Sequence, residues 1–149
     1  MKTSFYYDQE KHMTICERVA KNRTYKGISR CHPNDWDFES ELLGQHYSYT
    51  RSIIQELCTK RDEARAQLKV MTHLYSILEQ NLDVDLESVE CYTVRRQIKI
   101  LERDIKDYQF EIRSLRDELR DMIARKDKFY KQVRERRAKQ NASSEKSES

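Results

Sequence analysis

The stretch that decides the fold is Val94–Val133, VRRQIKILERDIKDYQFEIRSLRDELRDMIARKDKFYKQV. Its apolar residues fall at Val94, Ile98, Leu101, Ile105, Tyr108, Ile112, Leu115, Leu119, Met122, Phe129 and Val133, in alternating steps of four and three, with Lys126 in the one remaining place. A seven-residue repeat held over more than four heptads keeps one narrow stripe against a partner helix, the signature of a coiled coil. A single helix laid on a globular core would show a wider stripe that drifts toward a period of 3.6.

Upstream, Ile54, Leu57, Arg61, Ala64, Leu68, Met71, Tyr75 and Leu78 follow the same steps, with Arg61 and Ala64 as weak points. Asn81-Leu82-Asp83-Val84-Asp85 breaks the phase and predicts a turn, with Asp85 as candidate cap for the next helix. Two stretches of similar length and a short connection predict an antiparallel hairpin. Ile at three a positions and Leu at two d positions also suit a parallel dimer, in which Glu111 would reach Arg116 of a second chain. The two combine in a dimer of hairpins. Ile100, Phe110 and Ile123 lie off the seam and widen the apolar surface, as a further partner requires.

Ahead of the helices, Thr3–Asp8, Met13–Ala20 and Arg23–Cys31 read as three short strands separated by turns at 9–12 and 21–22. In the second, Met13, Ile15 and Val19 alternate with polar residues, with Glu17 on their face. At His32-Pro33-Asn34-Asp35-Trp36-Asp37, Pro33 turns His32 away from helix and Asn34 or Asp35 offers an N-cap oxygen. The expected fold is mainly α: a long antiparallel helical hairpin or coiled coil with a small N-terminal three-stranded antiparallel β-meander. Its expected parts are the meander (1–33), a first helix (34–80), a turn (81–87), a second helix (88–139) and a disordered polar tail (140–149).

Composition supports long surface-rich helices: 37% of the 149 residues are charged and there are two glycines and one proline. The net charge of +3 is interspersed and selects no partner. Cys16, Cys31, Cys58 and Cys91 show no C-x-x-C spacing, and the first fifteen residues carry no apolar signal segment. Reduced thiols in a cytoplasmic, non-membrane protein are expected.

No catalytic residue, metal ligand or cofactor is assigned. Cys31-His32 is the most enzyme-like pair, but adjacency does not make a dyad and no third group orients it. His12, His32, His46 and His73 lack i,i+4 spacing. Asp35, Asp37, Glu39 and Glu41 alternate as in a calcium loop but lack its glycine and terminal glutamate, and suit a helix N-terminus better. No phosphate-binding glycine loop is present. Arg120–Lys139 holds nine basic and three acidic residues, a net +6. Cations also suit a helix C-terminus through the dipole alone. Its candidate phosphate contacts are Arg125, Lys128, Lys131, Arg134, Arg136 and Arg137.

The junction Gly27-Ile28-Ser29-Arg30-Cys31-His32-Pro33-Asn34-Asp35, followed by Phe38, Glu39, Ser40, Glu41 and Gly44, resembles small proteins encoded by phages of Gram-positive bacteria. Their pattern is G-x-A-x-C-x-P-x-D, an acidic helix start, a glycine and A-x-x-R-A; Ser48, Arg51 and Ser52 stand at the last motif here, with serine for both alanines. The resemblance implies a phage-type protein of the host cytoplasm that interferes with host defence. The leading expectation is a non-enzymatic protein that oligomerises through its helices and binds a host or phage protein. One alternative is a nucleic-acid binder using the basic helix end 120–139. Another, resting on resemblance, is sequestration of a nucleotide signal between subunits.

Overall fold

The computed structural model describes residues 1–81 and 83–148; Leu82, inside the predicted phase break, and Ser149, at the end of the predicted tail, lie outside the described residues. The chain is mainly α, with a three-stranded antiparallel sheet at its N-terminus followed by two long helices. The strands are β1 (Lys2–Asp8), β2 (Met13–Ala20) and β3 (Arg23–Arg30), in the order β1-β2-β3. Pairing runs without interruption from Lys2↔Val19 to Asp8↔Met13 and from Met13↔Arg30 to Ala20↔Arg23. His12 (φ 47°) and Lys21 (φ 52°) take the left-handed conformation that reverses the chain at the two turns.

A 3-10 turn at Pro33–Phe38 precedes helices α1 (Glu41–Gln80) and α2 (Val89–Glu148). The caps differ from those expected at Asn34 or Asp35 and at Asp85. His32 caps the 3-10 turn, its Nδ1 accepting from the Asn34 N–H at 3.2 Å. Ser40 caps α1 through the Leu43 N–H at 3.3 Å, and Ser88 caps α2 through the Cys91 N–H at 3.3 Å. Asp85 instead accepts from the Glu87 N–H at 2.9 Å inside the connecting turn.

The second helix also runs past Lys139, where a disordered tail was expected, to Glu148. No Gly or Pro stops it, the hydroxyls of Ser144 and Ser147 bond to the carbonyls of Gln140 and Ser144, and Lys146 sits favourably in the last turn.

Two compact units divide the chain: Met1–Ser52 with Leu115–Ser149, and Ile53–Ser114. In the second unit the later part of α1 packs antiparallel on the early part of α2. Ala64, Leu101 and Ile105 form the buried cluster, flanked by Leu68, Met71 and Tyr108. Ala64, a weak point by hydrophobicity, is where the seam closes, because its small side chain leaves room for Leu101 and Ile105. Burying each of the latter contributes about 1.5–3 kcal/mol. These seam positions are therefore filled within the chain.

In the first unit, α1 rests on the sheet through small residues. A Cβ on Gly27 would lie 1.8 Å from the Ser48 carbonyl oxygen and 2.5 Å from the Ser52 nitrogen, so strand and helix backbones touch there. Cys16, Ser48 and Ser52 are fully buried around this contact, with the Cys16 thiol 3.8 Å from the Ser52 hydroxyl. A Cβ on Gly44 would likewise meet Thr14 Oγ1 at 2.5 Å. The sheet thus turns Thr14, Cys16 and Arg18 toward the helix. The more apolar Ile15 and Val19 lie on the opposite face, with Val19 and Ile28 exposed. This close approach explains why small residues stand at 48 and 52, and Arg51 between them donates to the Ile28 carbonyl at 2.7 Å.

Candidate functional site

The β3–α1 junction gathers the chemistry-bearing side chains of the first unit. Glu39 follows the 3-10 turn, and its carboxylate is held by two groups from the sheet. Tyr7 Oη donates to Oε1 at 2.5 Å, and His12 Nδ1 donates to Oε2 at 2.7 Å. The His12 ring stacks on Trp36 with centroids 4.0 Å apart, and Trp36 Nε1 donates to the Cys31 carbonyl at 3.3 Å. Burial raises the pKa of Glu39, but the hydrogen bonds from Tyr7 and His12, with the charge of His12, outweigh it and hold the carboxyl below its ordinary value. The hydrogen bond to this carboxylate pushes the Tyr7 phenol up to about 12.

A cavity of about 50 Å³ lies beside this cluster, lined among others by Tyr7, His12, Cys31, Glu39, Lys126 and Tyr130. That volume admits water rather than an organic substrate. The Cys31 thiol donates to the His32 carbonyl at 3.7 Å, while the His32 ring serves as cap. Adjacent in sequence, the two side chains engage the backbone and not each other. Burial, then the negative charges of Glu39 and Asp35, push the Cys31 pKa up against the opposing charge of Lys126.

Next to the cavity an open groove of about 400 Å³ is walled by Arg30, Arg51, Lys126 and Arg134, with His32 and Tyr47. Lys126 sits over the rings of Tyr47 and Tyr130, at 5.9 and 5.7 Å from their centroids. Arg134 pairs with the buried Asp35 at 2.6 Å and donates to the Asn34 carbonyl at 3.2 Å. Four cations against Asp35 and Asp127 leave the groove net positive.

Of the candidate phosphate contacts, Arg134 lines this groove. Arg125, Lys128, Lys131, Arg136 and Arg137 are exposed on α2, with Arg137 over the Phe38 ring at 5.0 Å. Arg30, Arg51 and Lys126 escaped the sequence reading as contacts. Lys126 carried a signal as a charge at a seam position and Arg51 as the arginine of the junction motif, but only the fold brings them together with Arg30.

A scan against protein-family models finds no match, and no curated protein and no solved structure matches the chain. Among the described residues no group of three or more His, Cys, Asp or Glu is placed to hold a metal ion, and no helix is long and apolar enough to cross a membrane.

The seam residues of α2 divide by burial. Leu101, Ile105, Ile112 and Leu119 are buried, and Val94, Ile98, Tyr108, Leu115, Met122 and Val133 are half-buried. Phe129 is 59% exposed, and Tyr130, 9% exposed, takes the inward place expected of it. Off the seam, Phe110 is exposed while Ile100 and Ile123 are half-buried. In the second unit α1 carries another stripe: Val70, Leu74 and Ile77 are 66, 40 and 50% exposed at i, i+4 and i+7. Each precedes a seam residue (Met71, Tyr75, Leu78), which places the stripe about 100° around the helix from the packed face.

Proposed function

We propose that this chain is a non-enzymatic interaction protein that self-associates through its helices and binds a host or phage protein. The observation that carries this reading is the stripe Val70, Leu74, Ile77. A helix that packs one apolar face and leaves a second exposed has hydrophobic area suited to another helix. Phe110, exposed on α2, adds to the apolar surface of the same unit. The phage-type assignment, with action in the host cytoplasm against host defence, is supported by the junction from Gly27 to Gly44. Cys31 and His32, which engage the backbone and not each other, and the water-sized cavity favour binding over catalysis.

Affinity capture from host lysate tests the reading, with wild-type chain and a V70E/I77E variant side by side. A protein retained by the wild type and lost by the variant supports it; equal retention removes the stripe from the account.

The basic groove favours a second reading, a nucleic-acid binder or a protein that sequesters a phosphorylated nucleotide. Fixed cations beside tyrosine rings suit a phosphate group. Binding of duplex DNA that falls steeply with salt, and is weakened by K126Q and R134Q, supports the nucleic-acid form. Saturable binding of a mononucleotide without DNA binding supports the other, and a flat response to both removes this reading.

A further inference from the structure

We propose that β1 pairs antiparallel with β1 of a second copy, about a two-fold axis at Phe5, so that the two three-stranded sheets form one of six strands.

The strand has the features of an open edge. It pairs with β2 on one side, and among the described residues no strand lies on the other. Proteins blunt such edges with lysines and other charges, proline, bulges or short strands. In Lys2–Asp8 the charges stand only at the two ends, and the seven-residue strand contains no Pro or Gly and pairs with β2 without a bulge. Phe5 shares a face with Cys16 and Gly27, which α1 covers. Cys16 is completely buried, yet Phe5 is 42% exposed. The inner layer of the sheet therefore extends one strand beyond the helix that covers it.

What selects a second copy is the self-complementarity of KTSFYYD. Antiparallel pairing about Phe5 sets Lys2 opposite Asp8 of the other copy, Thr3 opposite Tyr7, Ser4 opposite Tyr6, and Phe5 opposite itself. The two-fold repeats the Lys2–Asp8 pair at both ends. Lys2 and Asp8 point to the same face of the sheet, so the pair is in reach. Opposite charges and aromatic pairs across strands are the stabilising unit of a sheet, whereas like charges oppose pairing. Shifting the axis to Ser4 leaves Asp8 beyond the ladder, and shifting it to Tyr6 leaves Lys2 beyond it. Parallel pairing would set Lys2 beside Lys2 and Asp8 beside Asp8. In the proposed register, Thr3 of the second copy also lies next to Tyr7, the residue that fixes Glu39.

The full-length chain tests this by disulfide cross-linking under mild oxidation, with the wild type and its four cysteines as background. Opposed Cα atoms in an antiparallel pair are about 4.5–5.5 Å apart, within disulfide reach, so F5C should form a covalent dimer. T3C should not, because its two copies would lie about 13 Å apart along the strands. Charge exchange supplies the second arm: K2E and D8K should each weaken the F5C cross-link about tenfold, and K2E/D8K should restore it. Cross-linking of F5C no greater than that of T3C or the wild type, or failure of the double exchange to restore it, overturns the proposal. Because the cross-link reads the β1 edges alone, its failure leaves the helix stripe standing.

Discussion

Tyr130 stacks on Phe38 with ring centroids 4.7 Å apart and 14° between planes, and its hydroxyl donates to the Phe38 carbonyl at 3.1 Å. This pair ties the far part of α2 to the 3-10 turn, and the heptad pattern gives way to make it. Up to Lys126 the inward residues follow the four-three repeat, through Leu119 and Met122; the next is Tyr130, four residues on, where the repeat would place Phe129 three residues on. Two consecutive steps of four have the form of a stutter, a local unwinding of the coiled-coil repeat.

The pair predicts a sharp contrast between neighbours. Tyr130→Ala should cost about 3 kcal/mol, because a buried ring and its hydrogen bond are lost. Phe129→Ala, at the nominal seam position, should change stability by less than about 0.5 kcal/mol. Urea unfolding of both variants measures this, and equal losses would restore the unbroken heptad.

Gly27→Ala should be among the most damaging single-methyl additions to the chain. The clashing atoms are the backbone of Ser48 and Ser52, which cannot rotate aside, so α1 must lift off the sheet. A loss of about 3 kcal/mol or more is expected in thermal unfolding. Gly27→Ala with unchanged stability would contradict the backbone contact.

The Glu39 cluster sets two pH dependences of opposite sense. Glu39 is depressed in the folded chain, so its contribution is present above the unfolded carboxylate value of about 4.3 and is lost as pH falls through the lower folded value. Glu39→Gln should remove this part of the acid dependence of unfolding. Tyr7 is raised, so its contribution is full below the ordinary phenol value of about 10 and is lost as pH climbs through about 12. The ultraviolet difference titration of wild type against Tyr7→Phe should show a phenol ionising near 12; a transition near 10 would refute the bond to Glu39.

Lys21, at φ 52°, bears the cost of a left-handed residue with a Cβ. Lys21→Gly should raise stability by about 0.5–1 kcal/mol, the relief of that strain less the added freedom of the unfolded chain. Chemical denaturation checks the sign.

How much of this was legible in the sequence depended on range. Local signals placed the three strands within a residue or two, because β-branched and aromatic runs are punctuated by polar turns. The seam was legible through Lys126, where period alone governs. Contacts between distant residues were not. Nothing in the chain announces that Arg134 meets Asp35, or that Arg30 and Arg51 join Lys126 in one groove. The buried face of the sheet was hidden for a physical reason. At Gly27 the helix approaches so closely that small and polar residues line the contact, and apolar alternation points to the other face. The stripe Val70, Leu74, Ile77 was readable but masked by the seam one residue away.

The most direct test of the central claim is sedimentation equilibrium of the wild-type chain beside V70E/I77E, with helix content checked by circular dichroism. Self-association through the stripe requires a wild-type mass of at least twice 18.1 kDa and a lower mass for the variant at equal helix content. A monomeric wild type, or an unchanged mass for a variant that remains helical, would contradict it.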